Sequence, residues 1–204
     1  MKYFSLILIF ILFSCGNKEA VLLPKSNVTV VSNVLDHSPI YIFFRTKGKD
    51  TLAEVNKKNE IISTNWIFNI DKRLPLRLVI PEVMKLQEKK RNEVAHKNVL
   101  AENYYSYADS IHKNLAFLPF TKVFYKMGKP MFSFVIFFSK KNEIFVDGTS
   151  GSLEELKHFL KSLPKDGLKM IRFRFDENMS YGTYLQNEIF IQSFKIENSE
   201  EFIF

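Results

Sequence analysis

From Phe132 to Tyr184 the alternation of apolar and polar residues allows one assignment of elements. FSFVIFF (132–138) has the two-residue period of a strand. Lys-Lys-Asn-Glu then turns, and EIFVDG (143–148) returns. Phe132, Phe134, Ile136 and Phe138 share one face, and Ser133, Val135, Phe137 and Ser139 the other. A strand apolar on both sides is expected to be central or covered. Over Ser152–Leu163, Leu153, Leu156, Leu160 and Leu163 recur at helical spacing. Ser152 and Glu155 form an S-x-x-E capping box, in which each side chain accepts a backbone N–H left free at the helix start. Pro164 and Gly167 end that helix. LKMIRFRF (168–175) reads as a strand with Ile171, Phe173 and Phe175 on one side and Arg172 and Arg174 on the other, so one sheet face is wet and basic. DENMSYGTY (176–184) leads into a second helix, and EFIF (201–204) reads as a last edge strand. The predicted order is β-β-α-β-α(-β), a small one-sided sheet covered by helices.

The pattern at the other end of the chain is different. Lys2 precedes the apolar run Tyr3–Ser14, and Cys15-Gly16-Asn17 follows. Twelve residues of helix span about 18 Å, short of the ~30 Å hydrocarbon core, so residues 1–14 read as a signal peptide. Leu12-Phe13-Ser14-Cys15 resembles the lipobox of bacterial lipoproteins, where a small residue precedes an acylated cysteine. Cys15 is the only cysteine, and it falls where cleavage would place it. Acylation of Cys15 implies stable membrane attachment and leaves no thiol for disulfides. Residues 15–26 read as a lipidated tether, with a flexible reach of roughly 17–20 Å. Gly16 lacks the acidic cue associated with inner-membrane retention, which favours the outer membrane, with the protein facing the periplasm.

Residues 27–120 read as a β-meander plus a long helix. VTVV (28–31), Ile40–Arg45, Thr51–Val55, Ile61–Ile70 and Leu76–Ile80 are the candidate strands, with Trp66, Phe68 and Ile70 on one face. Pro81 suits the first position of a helix. Residues 82–118 contain no Pro or Gly, and Val94, Ala101, Tyr104, Ala108, Ile111 and Leu115 form a helical stripe. The charged run 87–93 reads as a solvated face. Tyr104, Tyr105 and Tyr107 could stack on bases, but export makes nucleic acid no partner here, and they are expected to cover a sheet. IYIFFRTK (from Ile40) and FVIFFSKK (134–141) are locally alike, yet the first half lacks the helix that should follow its hairpin. That absence argues against duplication.

Composition changes the picture little. The chain has 204 residues, 46% of them hydrophobic, with 21 Phe against 7 Gly and 7 Pro, which suits bulky strand packing. Net charge is +7, or +6 once Lys2 is removed with the leader, and this basic balance permits an anionic partner.

Candidate chemistry is sparse. His96 and His112, if on one helix, would lie about 160° apart around it. No H-E-x-x-H, Gly-x₄-Gly-Lys or Gly-x-Ser-x-Gly occurs. Without such motifs, no catalytic, metal or cofactor site is expected, and the chain does not read as an enzyme.

The ordered block NEIFVDG, a Ser-Leu-Glu-Glu-Leu helix, IRFRFDEN and MSYGTYLQNEIFIQSF is similar to the periplasmic domain of the ExbD/TolR family. Phe175-Asp176-Glu177 and Tyr181 occupy the places of that family's strand-end signature and tyrosine. Val21-Leu22-Leu23-Pro24 resembles the segment leading into its soluble domain. The resemblance covers residues 130–204. It implies self-association and contact with envelope partners, with Asp176 and Tyr181 as contact residues. The family's membrane helix carries a proton-handling acid, whereas Tyr3–Ser14 has no ionisable group, and an intramembrane acid is what proton transfer needs. The expected function is therefore contact within a biopolymer-transport type of assembly, without proton transfer. The alternative is binding of peptidoglycan or another anionic polymer through Arg172 and Arg174. A homodimer is compatible with either.

Overall fold

The computed structural model describes residues 20–95, 97–130, 134–164, 167–168, 170–194 and 200–204. Cys15 with its preceding apolar run, and His96, lie outside the described residues. The fold is α+β, with two mixed sheets and, among the described residues, three helices. None of these helices is long and apolar enough to cross a membrane.

In the first half, β1 (Lys25–Ser26), β2 (His37–Lys47), β3 (Asp50–Asn56), β4 (Asn65–Ile70), β5 (Asn103–Asp109) and β6 (Leu115–Pro119) form one sheet, and α1 (Leu76–Asn92) follows β4. The second sheet contains β7 (Phe124–Met127), β8 (Phe134–Phe138), β9 (Ile144–Val146), β10 (Thr149–Gly151), β11 (Ile171–Phe175) and β12 (Glu200–Ile203). Its helices are α2 (Leu153–Ser162) and α3 (Tyr181–Gln192). One continuous core joins the two halves, from Ile40, Trp66 and Phe68 to Phe138, Phe173 and Phe175.

The first half departs from the expected meander. β2 pairs antiparallel with β3, but β4 runs parallel to β2 and β5 parallel to β4. The segment expected as a strand at Leu76–Ile80 opens α1, capped by Pro75, and Pro81 lies inside the helix. Leu76, Val79, Ile80, Val83 and Leu86 are all buried. Burying that stripe outweighs the one backbone hydrogen bond that a proline beyond the first turn removes. The long helix expected through residue 118 ends at Asn92, and residues 103–119 form the β5–β6 hairpin. Tyr105 and Tyr107 are fully buried on one face of β5, as aromatic alternation favours in a strand. Of VTVV only Val31 bridges, to Phe117. Val31 and Val34 pack with Ile67, Phe117 and Tyr104 on the first sheet's outer face.

The expected tether is also shorter than 15–26. The Leu22 N–H donates to Asp71 Oδ2 at 3.3 Å, and the Leu22 carbonyl accepts the Lys72 N–H at 2.8 Å. Pro24 and Ser26 carbonyls accept the Ala108 and Ser110 N–H groups at 2.9 and 2.8 Å.

The second half follows its predicted order, with two differences. β12 is not an edge strand, because it lies between β11 and β7. The edge is β7, too short and mixed in character to stand out. The α2 capping box is present: Ser152 Oγ accepts the Glu155 N–H at 3.2 Å, and Glu155 Oε2 accepts the Ser152 N–H at 2.6 Å. Ser152→Ala is expected to cost about 1 kcal/mol. Chemical denaturation measures this, and an unchanged midpoint would mean the box contributes nothing.

The two halves repeat one arrangement, against the expectation from sequence. In space, β3–β2–β4–β5 matches β9–β8–β11–β12: an antiparallel hairpin followed by two parallel pairings. A loop stands in the first half where α2 stands in the second. The turns after β4 and β11 match in detail. The Asp71 and Asp176 N–H groups donate to Ile42 and Phe138 carbonyls, each at 3.0 Å. Asp71 Oδ1 accepts the Arg73 N–H at 3.1 Å, and Asp176 Oδ1 accepts the Asn178 N–H at 2.8 Å. The two turns then bond to each other reciprocally. Leu76 N–H donates to Met179 O at 3.0 Å and Tyr181 N–H to Leu74 O at 2.7 Å. Arg77 N–H donates to Glu177 O at 2.8 Å and Gly182 N–H to Lys72 O at 3.0 Å. These bonds relate the halves by a local twofold axis through Pro75 and Ser180.

Candidate functional site

The twofold junction decides what Asp176 and Tyr181 do. Asp176 closes its own turn, accepting the Asn178 N–H and, through Oδ2, the Lys140 N–H at 3.3 Å. Tyr181 is 0% exposed. Its ring packs 5.6 Å from Tyr105 and 6.2 Å from Tyr184. Tyr181 therefore cannot be a surface contact, which corrects the expectation. It opens α3, whose buried side packs against the other half through Tyr105.

Beneath the junction lies a buried polar chain that the sequence reading missed. Tyr105 and Tyr125 hydroxyls are 2.7 Å apart, Tyr125 and Tyr184 hydroxyls 3.1 Å, and Tyr184 Oη donates to Glu201 Oε2 at 2.7 Å. Glu201 accepts a further hydrogen bond from the Glu188 carboxyl. The chain links β5 of the first sheet to β7, α3 and β12. Glu188 Oε1 and Tyr181 Oη have no partner among the described residues. Burial pushes the Glu201 carboxyl up to about 7. Burial, then the neighbouring Glu201 charge, raises Glu188 well above the carboxylate range. Burial likewise raises all four tyrosines. Chemically, the cluster holds protons. One signal was available: in EEFI, Glu201 shares its strand face with Ile203.

Arg172 and Arg174 lie, as expected, on the side of the second sheet opposite Phe173 and Phe175. Strand register places Val135 and Phe137 beside them on β8, Phe145 on β9 and Phe202 on β12. The two arginines differ. Arg172 Nε is 3.7 Å from a Glu200 carboxylate oxygen, and Lys126 bonds the same carboxylate. Arg174 instead stacks between rings, its guanidinium carbon 4.4 Å from the Phe137 centroid and 4.9 Å from that of Phe204. Phe137 stacks on Phe145 at 5.9 Å, and Lys129 lies 4.7 Å over Phe204. Phe137, Phe145, Arg174, Pro130 and Lys129 line a groove of about 330 Å³. The first sheet's outer face has Val31 and Val34 over it. The second sheet has no such cover among the described residues. The Arg172/Arg174 alternation pointed to this face, but the rings around Arg174 come from strands whose pairing the sequence does not state.

Elsewhere, Asp109 accepts hydrogen bonds from Thr29 Oγ1, from the Ile111 and His112 N–H groups at 2.8 and 3.0 Å, and contacts His112 Nδ1 at 2.7 Å. These bonds, the one from Thr29 foremost, hold its carboxyl well below the usual range. They fold the β5–β6 turn, so His112 lies on a hairpin and not on a helix. No protein-family model, curated protein or solved structure matches the chain.

Proposed function

We propose that this chain is a non-enzymatic envelope lipoprotein, anchored through acylated Cys15 and facing the periplasm, with the outer membrane favoured. It acts by protein–protein contact, as a module resembling the periplasmic part of an ExbD/TolR-type component without the proton-handling helix. The observation that carries this reading is the open aromatic and basic face around Arg174. Partly exposed rings, Phe137 and Phe145, with the exposed Phe204 and an arginine among them, have the composition of contact patches. The twofold junction turns the α3 side of the second half toward the first half, so the outer face of the second sheet is the surface offered to a partner. The second reading, an anionic polymer such as peptidoglycan, is favoured by the same cations.

Photocrosslinking in cells tests the choice. A crosslinker at Phe145 is expected to capture an envelope protein, while one at Glu154 on α2 is not. Equal capture from both positions, or none from Phe145, would overturn the contact reading. Salt-sensitive sedimentation with purified peptidoglycan that is lost on Arg172→Ala/Arg174→Ala would establish the polymer instead. Cys15→Ala is expected to abolish acyl labelling and release the protein from membranes, and unchanged retention would refute the anchor.

A further inference from the structure

Arg174 is an arginine prepared for an anion. It makes no hydrogen bond or ion pair among the described residues, and its Nε is shut off from solvent without an acceptor. Leaving a buried donor unmatched is costly, and here two phenyl rings hold the guanidinium in place. A planar fork fixed by stacking loses little further entropy when it binds a carboxylate bidentately.

The surroundings narrow the ligand. The ring neighbours of Arg174 are Phe137 and Phe204; Phe145, Pro130 and Lys129 line the same groove, and the Asp176 charge acts on it from nearby. A polymer with charge at every repeat needs a row of cations. That row is interrupted, because Glu200 already engages Arg172 and Lys126. Arg174 stacked between rings, in a lining otherwise apolar but for Lys129, Asp147 and Gly148, matches one carboxylate flanked by apolar groups. Asp147, also in the lining, disfavours a second anion there.

We infer that the groove between Phe137, Phe145 and Arg174 binds an extended peptide segment of a partner protein, with a single Asp or Glu carboxylate on Arg174 and aliphatic side chains on the paired phenyl rings. This rests on the contact reading above and names its ligand. Recognition is by one charge-assisted pair plus apolar burial, so affinity is modest and only partly salt-dependent.

The test uses the full-length protein in detergent and the probe peptide acetyl-Val-Leu-Glu-Leu-Val-amide, against its Gln counterpart. Titration is followed by NMR shifts of β8, β9 and β11 amides. The Glu peptide is expected to bind at least tenfold more tightly than the Gln peptide. Arg174→Lys is expected to remove most of that preference, because an ammonium lacks the fork. Phe145→Ala should weaken both peptides alike, and an unchanged melting temperature for each variant excludes misfolding. Equal binding of the two peptides, a preference that survives Arg174→Lys, or shifts confined to another surface would overturn the proposal. So would tighter binding of polyglutamate than of the Glu peptide at equal carboxylate concentration, which would indicate a polyanion site. Crosslinking from Phe145 that persists while both peptides fail would reject this ligand and leave the contact reading standing.

Discussion

Stability is expected to fall as pH rises from about 5 to about 7.5, and Glu201→Gln to remove the part of that fall that Glu201 carries. The sign comes from the buried pair. Folding raises the Glu201 pKa from 4.5 to about 7, and burial, then the Glu201 charge, raises Glu188 as well. Below 4.5 both folded and unfolded chains bind the proton, and the stabilisation is fully present. As pH rises, the unfolded chain releases its proton first, and each unit then costs about 1.4 kcal/mol until the folded carboxyl also ionises. One proton over that interval amounts to roughly 3 kcal/mol. No cation stands among the causes that shift either carboxyl, so ionisation goes uncompensated. The depressed carboxyls of Asp71, Asp109 and Glu155 act oppositely, losing their contribution only toward acid pH. Gln at 201 keeps an acceptor for the Tyr184 hydroxyl and removes the titration of Glu201, while Glu188, raised first by its own burial, still titrates. Urea denaturation at a series of pH values reads this directly. Stability that rises over the interval, or a slope untouched by Glu201→Gln, would show that the pair does not govern it.

The second large effect is expected at Gly182. A Cβ there would lie 3.0 Å from Lys72 Cβ and 3.2 Å from the Lys72 carbonyl oxygen. That oxygen accepts the Gly182 N–H across the twofold axis, so relief of the clash breaks the pairing between halves. Gly182→Val is expected to cost about 3 kcal/mol, at the upper end for overpacking. Gly151 serves as the control: a Cβ there meets only a Glu155 carboxylate oxygen at 3.5 Å, an ordinary contact. Comparable midpoints for Gly182→Val and wild type would mean the junction has slack.

The second half was readable because its elements announce themselves. Ser152 and Glu155 mark a helix start, and Ile171–Phe175 alternates without a break. The first half was misread where two signals competed. LRLVI is β-branched and short, yet it belongs to the stripe Leu76–Leu86, whose burial decided the outcome. Tyr104–Tyr107 fits both a helical stripe and a strand, and only pairing with β4 and β6 selects between them. The repeat was hidden for a similar reason. Matching IYIFFRTK to FVIFFSKK sets Ile40 on Phe134, whereas the sheets set Ile42 on Phe138, two residues further along the same face. Once the strands are placed, Asp71 and Asp176 fall on equivalent turns. As for the candidate site, Arg172 and Arg174 were visible as a pair. Their different fates depend on Glu200 and on rings from neighbouring strands, which no local pattern encodes.

The twofold junction also breaks the equivalence of the outer surfaces. Two identical chains meeting about such an axis would present two copies of every outer surface. Here both halves belong to one polypeptide, so a substitution alters one half alone and the two faces can specialise. Val31 and Val34 cover one, and the other carries Arg174 between Phe137 and Phe204. The result is a pseudo-symmetric body whose two sheets carry different outer surfaces on one polypeptide.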